Sequence, residues 1–206
     1  MALANYTDLK TAIATTLNRD DLAANVPDFI ALAEADLNRR LRHWRMQKRS
    51  IATIDSRYSA VPSDWLESVR FTTTDSPTQP MEVLSQIEMA QARGGRADAT
   101  GRPAYFAVTG GQFEFFPTPN ASFTAELVYY ARVPVLSDSA PVNFLLTEHP
   151  DVYLYGALAH SAPFLREDDR VQLWSALYVQ AVEGANGLSE RGRFSGPLRM
   201  KIKGLS

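Results

Sequence analysis

Apolar residues recur at two different periods along this chain, and the change of period divides it. Behind Thr7, an N-cap residue type, Leu9, Ala12, Ile13, Thr16 and Leu17 fall three and four apart and predict one buried helix face. A turn over residues 18–25 follows. Asn25-Val26-Pro27-Asp28 then reads as a helix start, with proline in a turn that needs no N–H and an acid at the positive end of the dipole. Phe29, Ala33, Leu37, Leu41 and Trp44 carry the stripe of this second helix across about four turns.

From Lys48 to Arg132 the period shortens. Segments 50–54, 68–74, 105–108, 112–116 and 122–131 are short, rich in β-branched and aromatic residues and punctuated by Pro, Gly, Asp and Ser, so they predict strands. Gly110-Gly111 predicts a hairpin turn, since both glycines accept positive φ. Ser85-Gln86-Ile87-Glu88 has capping-box form and predicts a short helix to about Arg93. Residues 94–103, small and polar, predict a mobile loop.

The helical period returns near Thr147 and Glu148, with Pro150 in a first turn and a face of Val152, Tyr155, Leu158, Ala159 and Ala162 ending by Pro163. Asp168 and Asp169 lie near the start of a longer helix with the stripe Val171, Trp174, Leu177, Tyr178, Ala181, Val182 and Ala185. Two one-faced helix pairs flanking a β-rich middle most economically cover each other. The predicted class is α+β: a core bundle of about four helices with a β-rich insertion and an extended C-terminal tail. The divisions fall at 1–47, 48–134, 135–189 and 190–206.

Composition adds little until charge is resolved along the chain. The 206 residues carry 21 Lys+Arg against 23 Asp+Glu, a net charge of −2. That average hides a +6 stretch of Arg39, Arg40, Arg42, Arg45, Lys48 and Arg49 with no acid between Asp36 and Asp55. It also hides a +5 tail of Arg191, Arg193, Arg199, Lys201 and Lys203, on a remainder balanced at −13. Cysteine is absent, which excludes disulfides, thiolate metal sites and cysteine nucleophiles. No apolar run reaches the roughly 18 residues of a membrane span, and the first residues lack a basic start and an apolar signal core. The expectation is a protein that neither spans a membrane nor carries an export signal.

Candidate chemistry is sparse. His43 sits among arginines and reads as a solvated helix-end residue; His160 reads as a partly buried helix residue. Glu148, His149 and Asp151 are the nearest approach to a metal cluster, but neighbours around a helix start diverge in direction and read better as a capping group. There is no HExxH, nucleophile elbow or phosphate loop. Asp20-Asp21 and Asp168-Asp169 sit at helix starts or turns rather than as a glycosidase pair. The expectation is no enzyme and no cofactor. The +6 stretch with Trp44 admits three readings: phosphate contacts with a stacking aromatic, a solvated helix end, or pairing with acids of a neighbouring subunit. In the tail, Phe194, Leu198, Met200 and Ile202 alternate with polar residues in a pattern suited to adding a strand to a foreign sheet edge.

The order of motifs resembles the adaptor, or head-completion, proteins of tailed bacteriophages. The carriers are Asn25-Val26-Pro27-Asp28-Phe29-Ile30 with residues 34–42, Val61-Pro62-Ser63-Asp64-Trp65-Leu66, residues 101–105, residues 110–119, Leu127-Val128-Tyr129-Tyr130-Ala131 and residues 149–158. The resemblance runs from about Tyr6 to Gly187. It implies a non-catalytic dodecameric ring beneath the portal protein, at the head–tail junction of a virion assembled in the host cytoplasm, continuing the DNA channel. It implies as partners the portal, further copies of the chain and the next tail component, a nozzle, stopper or tail tube or hub protein. Carried over, Arg191, Arg193, Phe194, Leu198, Arg199, Met200, Lys201, Ile202 and Lys203 form the portal-binding element. Arg39, Arg40, Arg42, Arg45, Lys48 and Arg49 contact an adjacent subunit or line the DNA channel. The rival class is a nucleic-acid-binding module using the Arg39 to Arg49 stretch.

Overall fold

The computed structural model describes residues 3–165 and 169–193. The chain forms two compact units: a helical unit of Met1–Met46 with the chain from Val133 onward, and a β unit of Gln47–Arg132.

In the helical unit, α1 (Tyr6–Leu17) starts two residues before the place its sequence suggested. Asn5 rather than Thr7 is the cap, its side chain accepting from the backbone N–H of Asp8 at 2.9 Å. After a 3₁₀ turn over Asp20–Asn25, α2 (Val26–Arg40) opens with Pro27 in its first turn. Three helices of this unit follow the β unit in sequence, α4 (Phe144–Glu148), α5 (Pro150–His160) and α6 (Arg170–Arg193). The helical period expected to begin near Thr147 and Glu148 begins earlier, in a separate helix, because Asn143 caps α4, accepting from Leu146 N–H at 2.8 Å.

The expected four-helix core is corrected here: the helices do not share one core equally. α5 is apolar on nearly all sides, which suits a buried helix rather than a one-faced one, and it packs against α1, α2, α4 and α6. Gly156 makes this possible. A Cβ there would lie 3.0 Å from the Tyr178 ring on α6 and 3.2 Å from Ala33 Cβ on α2, so only a residue without a side chain lets both helices approach. The tail expected to be extended from residue 190 is also corrected at its root, because α6 continues to Arg193.

The β unit holds a seven-stranded sheet and one helix, α3 (Gln86–Arg93), whose Ser85–Glu88 capping box forms as read. Its strands are β1 (Gln47–Ile54), β2 (Tyr58–Ala60), β3 (Trp65–Thr73), β4 (Gln79–Val83), β6 (Tyr105–Thr109), β7 (Gln112–Phe116) and β9 (Phe123–Ala131), in the order β1-β9-β3-β4-β6-β7-β2. All neighbours are antiparallel except β4 and β6. The Gly110-Gly111 turn joins β6 and β7 with Thr109 opposite Gln112. Along β9, Ala125, Leu127, Tyr129 and Ala131 alternate into the core. There the Phe71 ring meets Phe106, Phe113 and Phe115 nearly edge-on at centroid distances of 5.3, 5.3 and 5.6 Å. Both edge strands, β1 and β2, line one cavity of about 280 Å³, so the sheet curls until its two edges face a common space.

The expected mobile loop over residues 94–103 is pinned instead. β5 (Thr100–Gly101) pairs with β8 (Thr118–Pro119), and the Arg102 guanidinium donates to Thr73 Oγ1 and to the carbonyl of Asp75.

Candidate functional site

The basic stretch that looked unopposed in sequence is opposed in space. The stripe expected to continue through Trp44 stops, because α2 ends at Arg40 and Leu41 turns to extended backbone (φ −86°, ψ 132°). In the new conformation Leu41, His43 and Met46 point inward while Trp44 is 48% exposed and His43 only 2%. The expectations of a solvated His43 and a core Trp44 are both reversed by this change of period.

Arg39 and Arg40, in the last turn of α2, each bind Asp36 one turn back at 2.9 Å. Asp36 is almost buried. Burial alone would raise its pKa, but the Tyr178 hydroxyl, donating at 3.0 Å, and the two guanidinium groups hold the carboxyl below its ordinary value. Arg42 donates from Nη1 to the carbonyls of Asn38 and Leu41. Arg45 meets Glu148 at 2.7 Å. In the β unit, Lys48 pairs with Asp64, and Arg49 with Glu126, which Arg70 also holds. Arg39, Arg40, Arg45, Lys48 and Arg49 thus each have an acid of their own chain, and in each pair the acid is the more buried member. The stretch presents the outer ends of partly neutralised groups, since Arg39 and Arg40 share Asp36 and Arg49 shares Glu126 with Arg70, a weaker attraction for phosphates than unopposed cations.

Two further arrangements were not visible in the sequence. His43 stacks on Phe144 and meets His149 edge-on at 5.6 Å, so His43, Glu148 and His149 place potential ligand atoms within 4.8 Å of one another. The trio read in sequence was different, and Asp151 is not part of this one. Burial pushes the His43 pKa down, His149 and Arg45 push the same way, and Glu148 opposes them. The arrangement fits a neutral packed imidazole better than a metal centre, since Arg45 already neutralises Glu148 and its backbone N–H donates to His43 Nδ1 at 3.3 Å. His160 is partly buried, as expected, and burial lowers its pKa.

The second arrangement is a clamp. Asn186 and Ser189, three apart on α6, hold the extended segment after α2: Asn186 Oδ1 accepts from Arg42 N–H at 3.0 Å and Ser189 Oγ from Trp44 N–H at 2.7 Å. No sequence signal marks them, because their partners lie more than 140 residues away.

Of the tail residues, Arg191 and Arg193 lie on the last turn of α6. Phe194, Leu198, Arg199, Met200, Lys201, Ile202 and Lys203 lie outside the described residues, as does Asp168. Among the described residues no helix is long and apolar enough to cross a membrane.

Comparison with curated proteins gives no match. The family model described as SU10 adaptor protein matches residues 4–201, and the chain belongs to that family.

Proposed function

We propose that this chain is a structural adaptor of a tailed-phage virion, forming a ring below the portal that joins capsid to tail and continues the DNA channel. The observation that carries this reading is the family match across residues 4–201. The residues add support. The chain supplies two compact units, one helical and one β-rich, which suits a part that meets more than one neighbour.

In this reading the tail from Arg191 to Ser206 engages the portal, and the next tail component meets another face. Ring contacts are heterologous, one face of a copy meeting a different face of the next. Arg39, Arg40, Arg42, Arg45, Lys48 and Arg49 contribute through their exposed outer ends, to an adjacent subunit or to the channel wall. The acids that Arg39, Arg40, Arg45, Lys48 and Arg49 meet within the chain weigh against the alternative of a dedicated nucleic-acid-binding module.

The test is electron microscopy of purified protein mixed with its portal. A ring seated on the portal is the expected result, and a protein that leaves portals bare overturns the reading. Charge reversal of Arg39, Arg40 and Arg42 should weaken the ring or its docking. If rings form undiminished on that variant, these residues are not contacts.

A further inference from the structure

In the β unit, β1 and β2 are consecutive and joined only by Asp55, Ser56 and Arg57, as the arms of a hairpin would be. They do not pair with each other. β1 is laddered to β9 and β2 to β7, so each is an edge of the sheet, and the two stand apart as the sides of a notch. Edge strands are normally blunted by charge, proline or a bulge, and residues 50–54 and 58–60 carry none of these.

The ladder registers determine which backbone groups face the notch, because residues of an antiparallel pair alternate between exchanging hydrogen bonds and turning away. Phe115 N–H donates to the Arg57 carbonyl at 2.9 Å and Val61 N–H to the Gly111 carbonyl at 3.3 Å. Positions 57, 59 and 61 therefore bond to β7, and Tyr58 and Ala60 turn their backbone groups to the free side. On β9, Thr124 accepts from Thr74 N–H at 2.8 Å, which commits Glu126 and Val128 to β3 and leaves Ala125 and Leu127 to bond Ala52 and Ser50. Ile51 and Thr53 thus direct their N–H and C=O groups into the same notch. Among the described residues no strand pairs with either of these free sides.

Behind the notch lies the cavity of about 280 Å³, floored by Phe71, Phe113 and Leu127. Close-packed interiors leave few voids larger than a water, and about 150 Å³ is enough to admit benzene. Ala52 shows that the space is open: it shares the inner face with its partner Ala125, which is fully buried, yet is itself exposed. The side chains at the opening are small, Ser50, Ala52, Ser59 and Ala60. On the outer face the rims are apolar, with Ile51 61% and Tyr58 41% exposed. Two rows of unpaired backbone groups across one gap are both satisfied by another extended backbone, and the small rim with an apolar floor leaves room for its large side chains. Strands that flank a third lie about 10 Å apart, a span that three connecting residues can bridge.

We propose that the notch receives an extended segment of a partner protein as an eighth strand, which closes the curled sheet and seats a bulky aliphatic or aromatic side chain on Phe71, Phe113 and Leu127. The strand directions around the sheet make the insert antiparallel to one edge and parallel to the other. The strands of the described chain are already laddered to one another, so the donor is a partner rather than a strand of a second copy. The inference goes beyond the adaptor reading, and either can fail without the other.

The test adds synthetic peptides to the full-length protein and follows backbone amide exchange by NMR. The peptides are capped and share the frame Lys-Thr-Val-Thr-Xaa-Thr-Val-Thr-Lys, with Val, Ile, Leu or Phe at Xaa. Exchange at Ile51, Thr53, Tyr58 and Ala60 should slow roughly tenfold once a peptide reaches about ten times its Kd. A peptide with Pro at Xaa, which lacks the central N–H, should have no effect. Ile51→Pro removes a donor that faces the notch and none that serves β9, so the slowing at the other three amides should vanish while the melting temperature stays near that of the unsubstituted chain. Ala52→Phe, which fills the opening, should abolish it by a different route. No slowing with any of the peptides at about 1 mM, slowing only elsewhere, or slowing that survives in both folded variants would overturn the proposal. Protection of the same amides in the free protein that rises with protein concentration would overturn it too, by giving the notch to a second copy.

Discussion

The β unit satisfies its backbone through strand ladders and fills its interior with phenylalanine, whereas the helical unit ties irregular backbone with buried polar side chains. In the first, Phe71 is ringed by three other phenylalanines, and β3 stays paired with β9 from Trp65 to Thr73 across two register shifts. In the second, segments without regular structure are held by residues far away in sequence. Val133 N–H donates to Asn38 Oδ1 at 2.9 Å and Leu136 N–H to Glu34 Oε1 at 2.8 Å. Asn143 donates to the carbonyl of Pro134 and to the Tyr153 hydroxyl, both at 2.7 Å, while Tyr153 donates onward to Glu34. The lesson concerns what holds a connection in place. A ladder is local to its strands, but an inward-facing polar side chain on a helix can replace a strand partner for a passing loop, provided every group in the network is matched.

Substitutions should separate the two designs by size and by chemistry. The largest loss is expected for Phe71→Ala, about 3–5 kcal/mol in chemical denaturation, because the four-ring cluster cannot close over the void. Tyr153→Phe keeps the shape but strands an Asn143 N–H in a buried place and leaves Glu34 Oε1 with Leu136 N–H as its remaining donor, so about 1–3 kcal/mol is expected. If Tyr153→Phe proved neutral, the polar network would be incidental to the helical unit. Gly156→Ala should cost a similar amount, about 1–3 kcal/mol, by forcing α5 away from Tyr178 and Ala33. Ser189→Ala, which removes the acceptor of Trp44 N–H, should cost about 1 kcal/mol and raise amide exchange at Trp44.

The smallest effect is a slope with pH. Burial raises the Glu34 pKa from 4.5, although Leu136 and Tyr153 work against it, so folding favours the protonated form and stability declines as pH rises from 4.5 through the raised value. Asp36, two residues on, behaves oppositely: its lowered pKa gives stability above 3.8 that is lost as pH falls through the folded value. Denaturation midpoints across the acid range should show Glu34→Gln removing the first slope and Asp36→Asn the second. Identical slopes in the two variants would contradict the assignment.

What could be read from the sequence was whatever is specified over a few neighbouring residues. The Gly110-Gly111 hairpin, the Ser85–Glu88 capping box and the proline-led start of α2 all form where the local chemistry demands them. Short strands such as β2 and β4 gave no comparable signal, since three to five residues with a proline or a serine do not establish a period. The basic stretch was legible as a row of residues but not as a field, because Glu148 and Glu126 reach it from about 80 to 100 positions downstream. His43 and Trp44 exchanged places for a similar reason: a period extrapolated past Leu41 fails once the helix has ended. The cleft between α5 and α6, lined by Asp151, Tyr155, Leu177 and Leu188, depends on two helices meeting and has no linear signature at all.

In the β unit, the strand by which the chain arrives and the strand by which it departs lie side by side, with Gln47 opposite Tyr130. Partnered residues in an antiparallel ladder are only about 5 Å apart, so the whole unit begins and ends at nearly one point. Such an insert obeys the geometry of a cassette. Evolution or a designer can lengthen it, exchange it or replace it with a short linker, and the chain of the helical unit then has almost no gap to close.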